Sequence, residues 1–169
     1  LIFVAMLQYT GASMWFIRLA MALTGRFAGG PAKVAIVASA FLGTVTGSPA
    51  ANVVGTGSIT IPMMKRYGFR PEFAAGVESV SSAGAQFVPP VMGLAAFVIV
   101  TVLGISYFYL MLVILPIVFL YYYAEFMQVH FEAHRLGLRG LPQEEMPRLW
   151  PTLKEGWPYL VPIAVLLYM

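Results

Sequence analysis

The 169-residue chain is 60% hydrophobic and only 10% charged, with a mean hydropathy of +0.82, which excludes an ordinary soluble domain and points to an integral membrane protein. It has no cysteine, so disulfides and thiolate metal sites are excluded. The net charge of +3 comes from Lys and Arg residues in three stretches, 18–33, 65–70 and 135–154; dispersed between apolar runs, they suit loops on one cytoplasmic side and argue against nucleic acid as a partner.

In chain order, residues 1–30 read as the end of a transmembrane helix followed by a connecting or interfacial helix. Arg18, Arg26 and Trp15 suit the interface, although Ser13 to Phe27 could equally continue the span. Both chain ends fall inside apolar runs, so a longer polytopic protein, including a second half of the molecule, is expected around this segment. Gly29-Gly30-Pro31 breaks the chain and starts a helix from Ala32 to about Thr44. At roughly 13 residues, or about 20 Å, it falls short of the ~30 Å of hydrocarbon in a bilayer. A polar, glycine-rich run from Gly43 to Ser58 follows, and Val53 to Met64 forms a second short arm before Lys65-Arg66. Residues 31–64 therefore predict a re-entrant hairpin dipping in from the cytoplasm, with Lys33, Lys65 and Arg139 on that side. The charge pattern also permits two tilted full spans, and the shortness of the arms favours the hairpin.

Residues 73–103 predict a broken transmembrane helix, because Pro89-Pro90 removes two backbone donors and stops a straight helix. Its first half carries Glu78, Ser79, Ser81, Ser82 and Gly84; its second half is plain hydrocarbon. Glu78 reads as a carboxylate snorkelling toward, or pairing with, Lys65, Arg66 or Arg70, with a proton relay as the alternative. Residues 106–129 predict a lipid-facing transmembrane helix with a Tyr121-Tyr122-Tyr123 belt and no chemistry. Residues 130–158 read as a cytoplasmic loop with an interfacial helix, and 159–169 as the start of the next span. His130 and His134 stand one helical turn apart, but no third ligand follows, so a solvated face is expected there.

Helix breaks at membrane depth expose carbonyls to cations and N–H groups to anions. A tip at Thr46-Gly47-Ser48 and Asn52 that met the break near Ser82, Gly84, Pro89 and Pro90 would form an oxygen cage for a hard cation such as Na⁺, with Thr46, Ser48 and Asn52 as candidate ligands. The alternative is that Gly43-x-x-x-Gly47, with Ser48 and Ala51, is a small-residue face for close helix packing. Both readings stand on spacing alone. A channel should show pore-lining repeats, and an intramembrane enzyme should show a carboxylate pair or an activated nucleophile; neither is visible, so no enzyme is expected.

The runs Gly29-Gly30-Pro31-Ala32-Lys33-Val34-Ala35, Thr46-Gly47-Ser48 through Ala51-Asn52-Val53, Gly57-Ser58 with Ile61-Pro62-Met63-Met64-Lys65-Arg66, and Pro89-Pro90-Val91-Met92-Gly93 carry a family resemblance. With the Phe131 to Pro142 run, they resemble the large permease of TRAP transporters (tripartite ATP-independent periplasmic transporters), in particular the fused permeases that work with TAXI-type binding proteins. That resemblance implies an all-α membrane fold in which a re-entrant hairpin and a discontinuous helix form one half of an inverted-repeat transporter. It further implies a multi-pass protein of a bacterial-type inner membrane. The expected activity is Na⁺-coupled symport of a small organic acid, handed over by a periplasmic solute-binding protein and moved by an elevator motion, with no cofactor beyond the coupling ion. Where the family's tip usually begins with Ser, this chain has Thr46, which keeps the hydroxyl.

Overall fold

A computed structural model describes residues 11–158; the expectations for residues 1–10 and 159–169, including the start of the next span, lie outside the described residues. The described residues are helical, without strands. The helices are α1 (Ala12–Thr24), α2 (Gly30–Thr46), α3 (Pro49–Arg66), α4 (Pro71–Ala83), α5 (Leu94–Leu103), α6 (Tyr107–Arg135) and α7 (Leu149–Glu155). Single 3-10 turns lie at Gly84–Gln86 and Gln143–Glu145.

Proline at the first turn opens α2, α3 and α4, where its missing N–H leaves no intrahelical bond unmade. The glycine-rich stretch differs from the expectation. Almost all of it is helical, and only Gly47 and Ser48 separate α2 from α3. The arms are therefore 17 and 18 residues long, about 25 and 27 Å, and the polar residues of the stretch lie on helix faces instead of in an open loop. Gly and Thr stay helical here because neighbouring helices bury them, and tertiary packing outweighs the few tenths to ~1 kcal/mol of intrinsic propensity per residue.

α1 lies along α2, burying Ile17 and Ala20 against Val34 and Ala38, and Trp15, Phe16 and Leu19 against Leu42. A second apolar cluster joins Ala32, Ala35 and Ile36 of α2, Met64 of α3, Ala74 and Val77 of α4, and Val129 and Ala133 of α6. It holds the end of the bundle opposite the Gly47-Ser48 tip. The basic residues collect at that same end. The Leu141 amide donates to Gly25 O at 2.8 Å, Arg66 and Tyr67 both reach Glu145, and a cleft there is lined by Arg70, Glu72, Glu132 and Arg135. Lys33 departs from the loop-solvation expectation: it is 1% exposed, with Nζ 3.0 Å from His130 Nδ1 and 4.6 Å from the Phe126 ring. α7 is fastened to α1 by the Trp15 indole, which donates to Thr152 O at 2.6 Å, and by the exposed Arg18–Glu155 pair at 3.8 Å.

Among the described residues, α6 is the one helix long and apolar enough to cross a bilayer. Most of its surface is bare, including Phe108, Leu112, Val113, Ile117, Phe119 and Leu120. One stripe is not, and it carries the groups that reach the site below.

Candidate functional site

α2 ends and α3 begins within two residues because Gly47 takes the left-handed conformation, φ 57°, and closes α2 by donating to Gly43 O at 3.1 Å. Ser48 caps α3: its Oγ accepts from the Ala51 amide at 3.5 Å and its carbonyl from Asn52 N at 2.9 Å. The tip is seated on the broken helix. A Cβ added to Gly47 would stand 2.1 Å from Met92 O, and one added to Gly43 would stand 3.0 Å from Ala85 Cα. The Gly43/Gly47 stripe thus packs tightly, and what it packs against is the break itself.

At this junction Thr46 Oγ1 and Asn52 Oδ1 are buried without a hydrogen-bond partner. The other end of the Asn52 amide donates to Ser39 O at 2.8 Å, which fixes the side chain. Buried polar oxygens with nothing to accept are costly, by about 1–3 kcal/mol each, unless a ligand or water fills them. The C-terminus of α2 and the N-termini of α3 and α5 all converge here, so the tip presents carbonyl ends to a cation and amide ends to an anion within one small region.

The remaining candidates are placed differently. Ser82 is buried on α4 and donates to Glu78 Oε1 at 3.2 Å, so it does not belong to the tip. Gly84 serves close packing: a Cβ there would stand 2.4 Å from Tyr122 Oη. The break spans Gly84 to Gly93, beginning before the prolines, and Pro89-Pro90 is cis. Two of its carbonyls, and two in the last turn of α4, are taken by phenols of α6. The Tyr107 hydroxyl donates to Pro90 O and Val91 O at 2.8 and 2.9 Å, Tyr121 to Val80 O at 2.7 Å, and Tyr122 to Ser81 O at 3.1 Å. Tyr121 and Tyr122, expected with Tyr123 as a lipid-facing belt, therefore join Tyr107 in capping the break, because helix rotation turns one stripe of α6 inward, while Tyr123 stays exposed.

Glu78 also departs from expectation. It is 1% exposed and hydrogen-bonded to the hydroxyls of Thr56, Thr60 and Ser82, while Arg66 turns to Glu145 and Arg70 to Glu72. Glu125 was not singled out by the sequence reading. It is buried on α6 and hydrogen-bonded to Ser81 Oγ at 2.6 Å, next along α4 to the Ser82 that bonds Glu78. A lone carboxylate in an apolar run was the available signal. Of the two histidines, His130 is engaged by Lys33 and stacks edge-on with His134 at 4.5 Å; no group of three or more metal-ligating side chains occurs among the described residues.

The whole chain, residues 1–169, matches the family described as Tripartite ATP-independent periplasmic transporter, DctM component. It is similar to the C4-dicarboxylate TRAP transporter large permease protein DctM of Rhodobacter capsulatus, 33% identical over 95 residues, covering 56% of this chain and 22% of that protein. The protein of the same name in Vibrio cholerae is 39% identical over 80 residues, 47% of this chain and 18% of its own length. The uncharacterized protein y4mL of Sinorhizobium fredii is 31% identical over 148 residues, 85% of this chain and 34% of that protein. The matched stretch thus spans between 18% and 34% of these relatives. With every residue inside the family match, the chain belongs to the DctM, large-permease family of TRAP transporters.

Proposed function

We infer that this chain forms one hairpin-and-broken-helix unit of a Na⁺-coupled symporter for small organic acids, working by an elevator motion in a bacterial-type inner membrane. The observation that carries this reading is the Gly47-Ser48 tip seated on the Met92 backbone with Thr46 Oγ1 and Asn52 Oδ1 left unpartnered beside it. Na⁺ is the coupling ion, and its proposed ligands are Thr46, Ser48 and Asn52 together with carbonyls at the end of α2; Ser82 and Gly84 are withdrawn from that set. The amide ends of α3 and α5 suit the carboxylate of the substrate. Two of the relatives are named for C4-dicarboxylates, which makes a dicarboxylate the first substrate to try. Family membership supports a periplasmic solute-binding protein and a small permease subunit, separate or fused as in TAXI-type systems, as partners. The gathering of Arg66, Arg70, Arg135 and Arg139 at the end opposite the tip supports a cytoplasmic side for the open end of the α2–α3 hairpin.

The test is uptake by the full-length permease reconstituted with its binding protein. Uptake driven by a Na⁺ gradient, and a raised Na⁺ requirement in Ser48→Ala and Asn52→Ala, are expected. Ser48→Ala also removes a cap, at about 1 kcal/mol, so folding is checked in parallel. A packing-only role for the tip has its own support in the close Gly43–Ala85 and Gly47–Met92 contacts. An unchanged Na⁺ requirement in both variants would establish that second reading instead.

A further inference from the structure

Between α3, α4 and α6 the number of hydroxyl protons falls short of the number of acceptors. Thr56 Oγ1 is within reach of Asn52 O, at 2.9 Å, and of Glu78 Oε1; Thr60 Oγ1 of Thr56 O, at 3.0 Å, and of Glu78 Oε2; Ser81 Oγ of Val77 O, at 2.7 Å, and of Glu125 Oε1, at 2.6 Å. Each hydroxyl has one proton to give. A proton on Glu78 that donates to Thr60 frees the Thr60 hydroxyl for Thr56 O, and Ser82 satisfies the other Glu78 oxygen. Likewise, a proton on Glu125 that donates to Ser81 frees the Ser81 hydroxyl for Val77 O. Two added protons narrow the shortfall to one, with the Thr56 hydroxyl shared between Asn52 O and Glu78 Oε1.

The surrounding charge agrees. The groups facing the two carboxyls are Ser39 of α2, Thr56 and Thr60 of α3, Ser81 and Ser82 of α4, and the phenols of Tyr121 and Tyr122 on α6, none of them cationic. The nearby buried cation, Lys33, is turned to His130 and Phe126. Glu125 Oε2 has no partner at all, a state that ionisation would make far more costly in an apolar setting. A cleft of about 260 Å³ between α4 and α6, lined by exposed Glu72 and by Gln128 and Glu125, offers water a route from the basic end of the bundle.

We propose that Glu78 and Glu125 form a proton-binding site, adjoining the Thr46–Asn52 junction through the Thr56 hydroxyl, that exchanges with water through the α4–α6 cleft at Glu125. Each carboxylate gains one proton from hydronium: an O–H bond of the hydronium breaks, leaving water, as the carboxyl O–H forms. Glu125 lines the cleft and meets that donor directly, whereas Glu78 lies behind the lining. A link between this proton and substrate movement rests on the transporter reading above; occupancy of the site does not.

The test uses the purified full-length permease and infrared difference spectroscopy in H₂O and D₂O at neutral pH, which reads protonated carboxyl groups without any transport assay. Two carboxylic C=O bands that shift in D₂O are expected, one lost in Glu78→Gln and the other in Glu125→Gln, unchanged when Na⁺ is replaced by K⁺. Absence of any such band in the unmodified protein would overturn the proposal, and needs no variant to fold. Bands unaffected by either substitution would overturn it too. Bands that emerge only when Na⁺ is withdrawn would assign the hydroxyl cage to Na⁺ instead of the proton. Failure of Na⁺-driven uptake with both bands present would overturn the coupling reading and leave the proton site standing.

Discussion

The two halves of the broken helix are built for different surroundings. α4 turns Ala74, Val77, Glu78, Ser81 and Ser82 inward, and its polar groups are bonded to α3 and α6. α5 buries Ala96 alone, leaving Leu94 81%, Val102 76% and Leu103 64% exposed. Polarity follows the neighbour. A carboxyl and two serines are tolerated in α4 because the Thr56 and Thr60 hydroxyls of α3 meet Glu78, which Ser82 also bonds, and the Glu125 carboxyl of α6 meets Ser81, whereas α5 has no such partner among the described residues and carries none that would need one. α6 runs past both halves and shows the same split: Glu125 and Tyr122 face α4, while at the other end Leu110 packs with Ala96 and the Tyr107 ring stacks on Phe97 at 5.3 Å.

The contrast can be broken most severely at the point that holds the halves apart. Gly47→Ala forces a side chain into a left-handed residue facing the Met92 carbonyl and should destabilise the full-length protein by about 2–5 kcal/mol. A thermal unfolding midpoint in detergent near that of the unsubstituted protein would mean that the tip is not seated on the break. Thr60→Val comes next. It keeps the volume but strips a hydrogen-bond partner from Glu78, at about 1–3 kcal/mol, and should narrow the gap between the polar and apolar halves. The same unfolding measurement reads it, with Thr101→Val on exposed α5 as the comparison expected to change nothing.

A smaller effect is expected at the junction. Tyr107→Phe removes one hydroxyl from two carbonyls, costing about 1 kcal/mol, and should speed amide hydrogen exchange at Val91 and Met92 while leaving α4 unchanged. Equal acceleration in α4 would show that the two halves move as one. Least of all, Leu94→Ala on the exposed start of α5 should stay within about 0.5 kcal/mol. A larger loss would mean that another part of the assembled permease covers α5.

Much was readable from residue order alone. Proline and glycine placement marks the start of α2 and the interruption before α5, since a missing N–H or a left-handed residue acts locally wherever it occurs, while α3 and α4 begin at Pro49 and Pro71, ahead of the arms expected from Val53 and Phe73. The apolar composition and the confinement of basic residues to three stretches likewise carry the membrane character, because lipid and water select side chains one at a time. Helix lengths at the tip were not readable. Gly43 to Ser58 looks like loop by propensity, and only the neighbours that bury it make it helical. Nor could sequence spacing show that Tyr107, Tyr121 and Tyr122 cap the break, or that Glu78 is enclosed by hydroxyls and Glu125 is bonded to Ser81. Those are contacts between helices far apart in the chain, and the rotation of α6 about its axis, which selects the inward stripe, is decided by packing against α2 and α4 and not by the periodicity of an almost uniformly apolar segment.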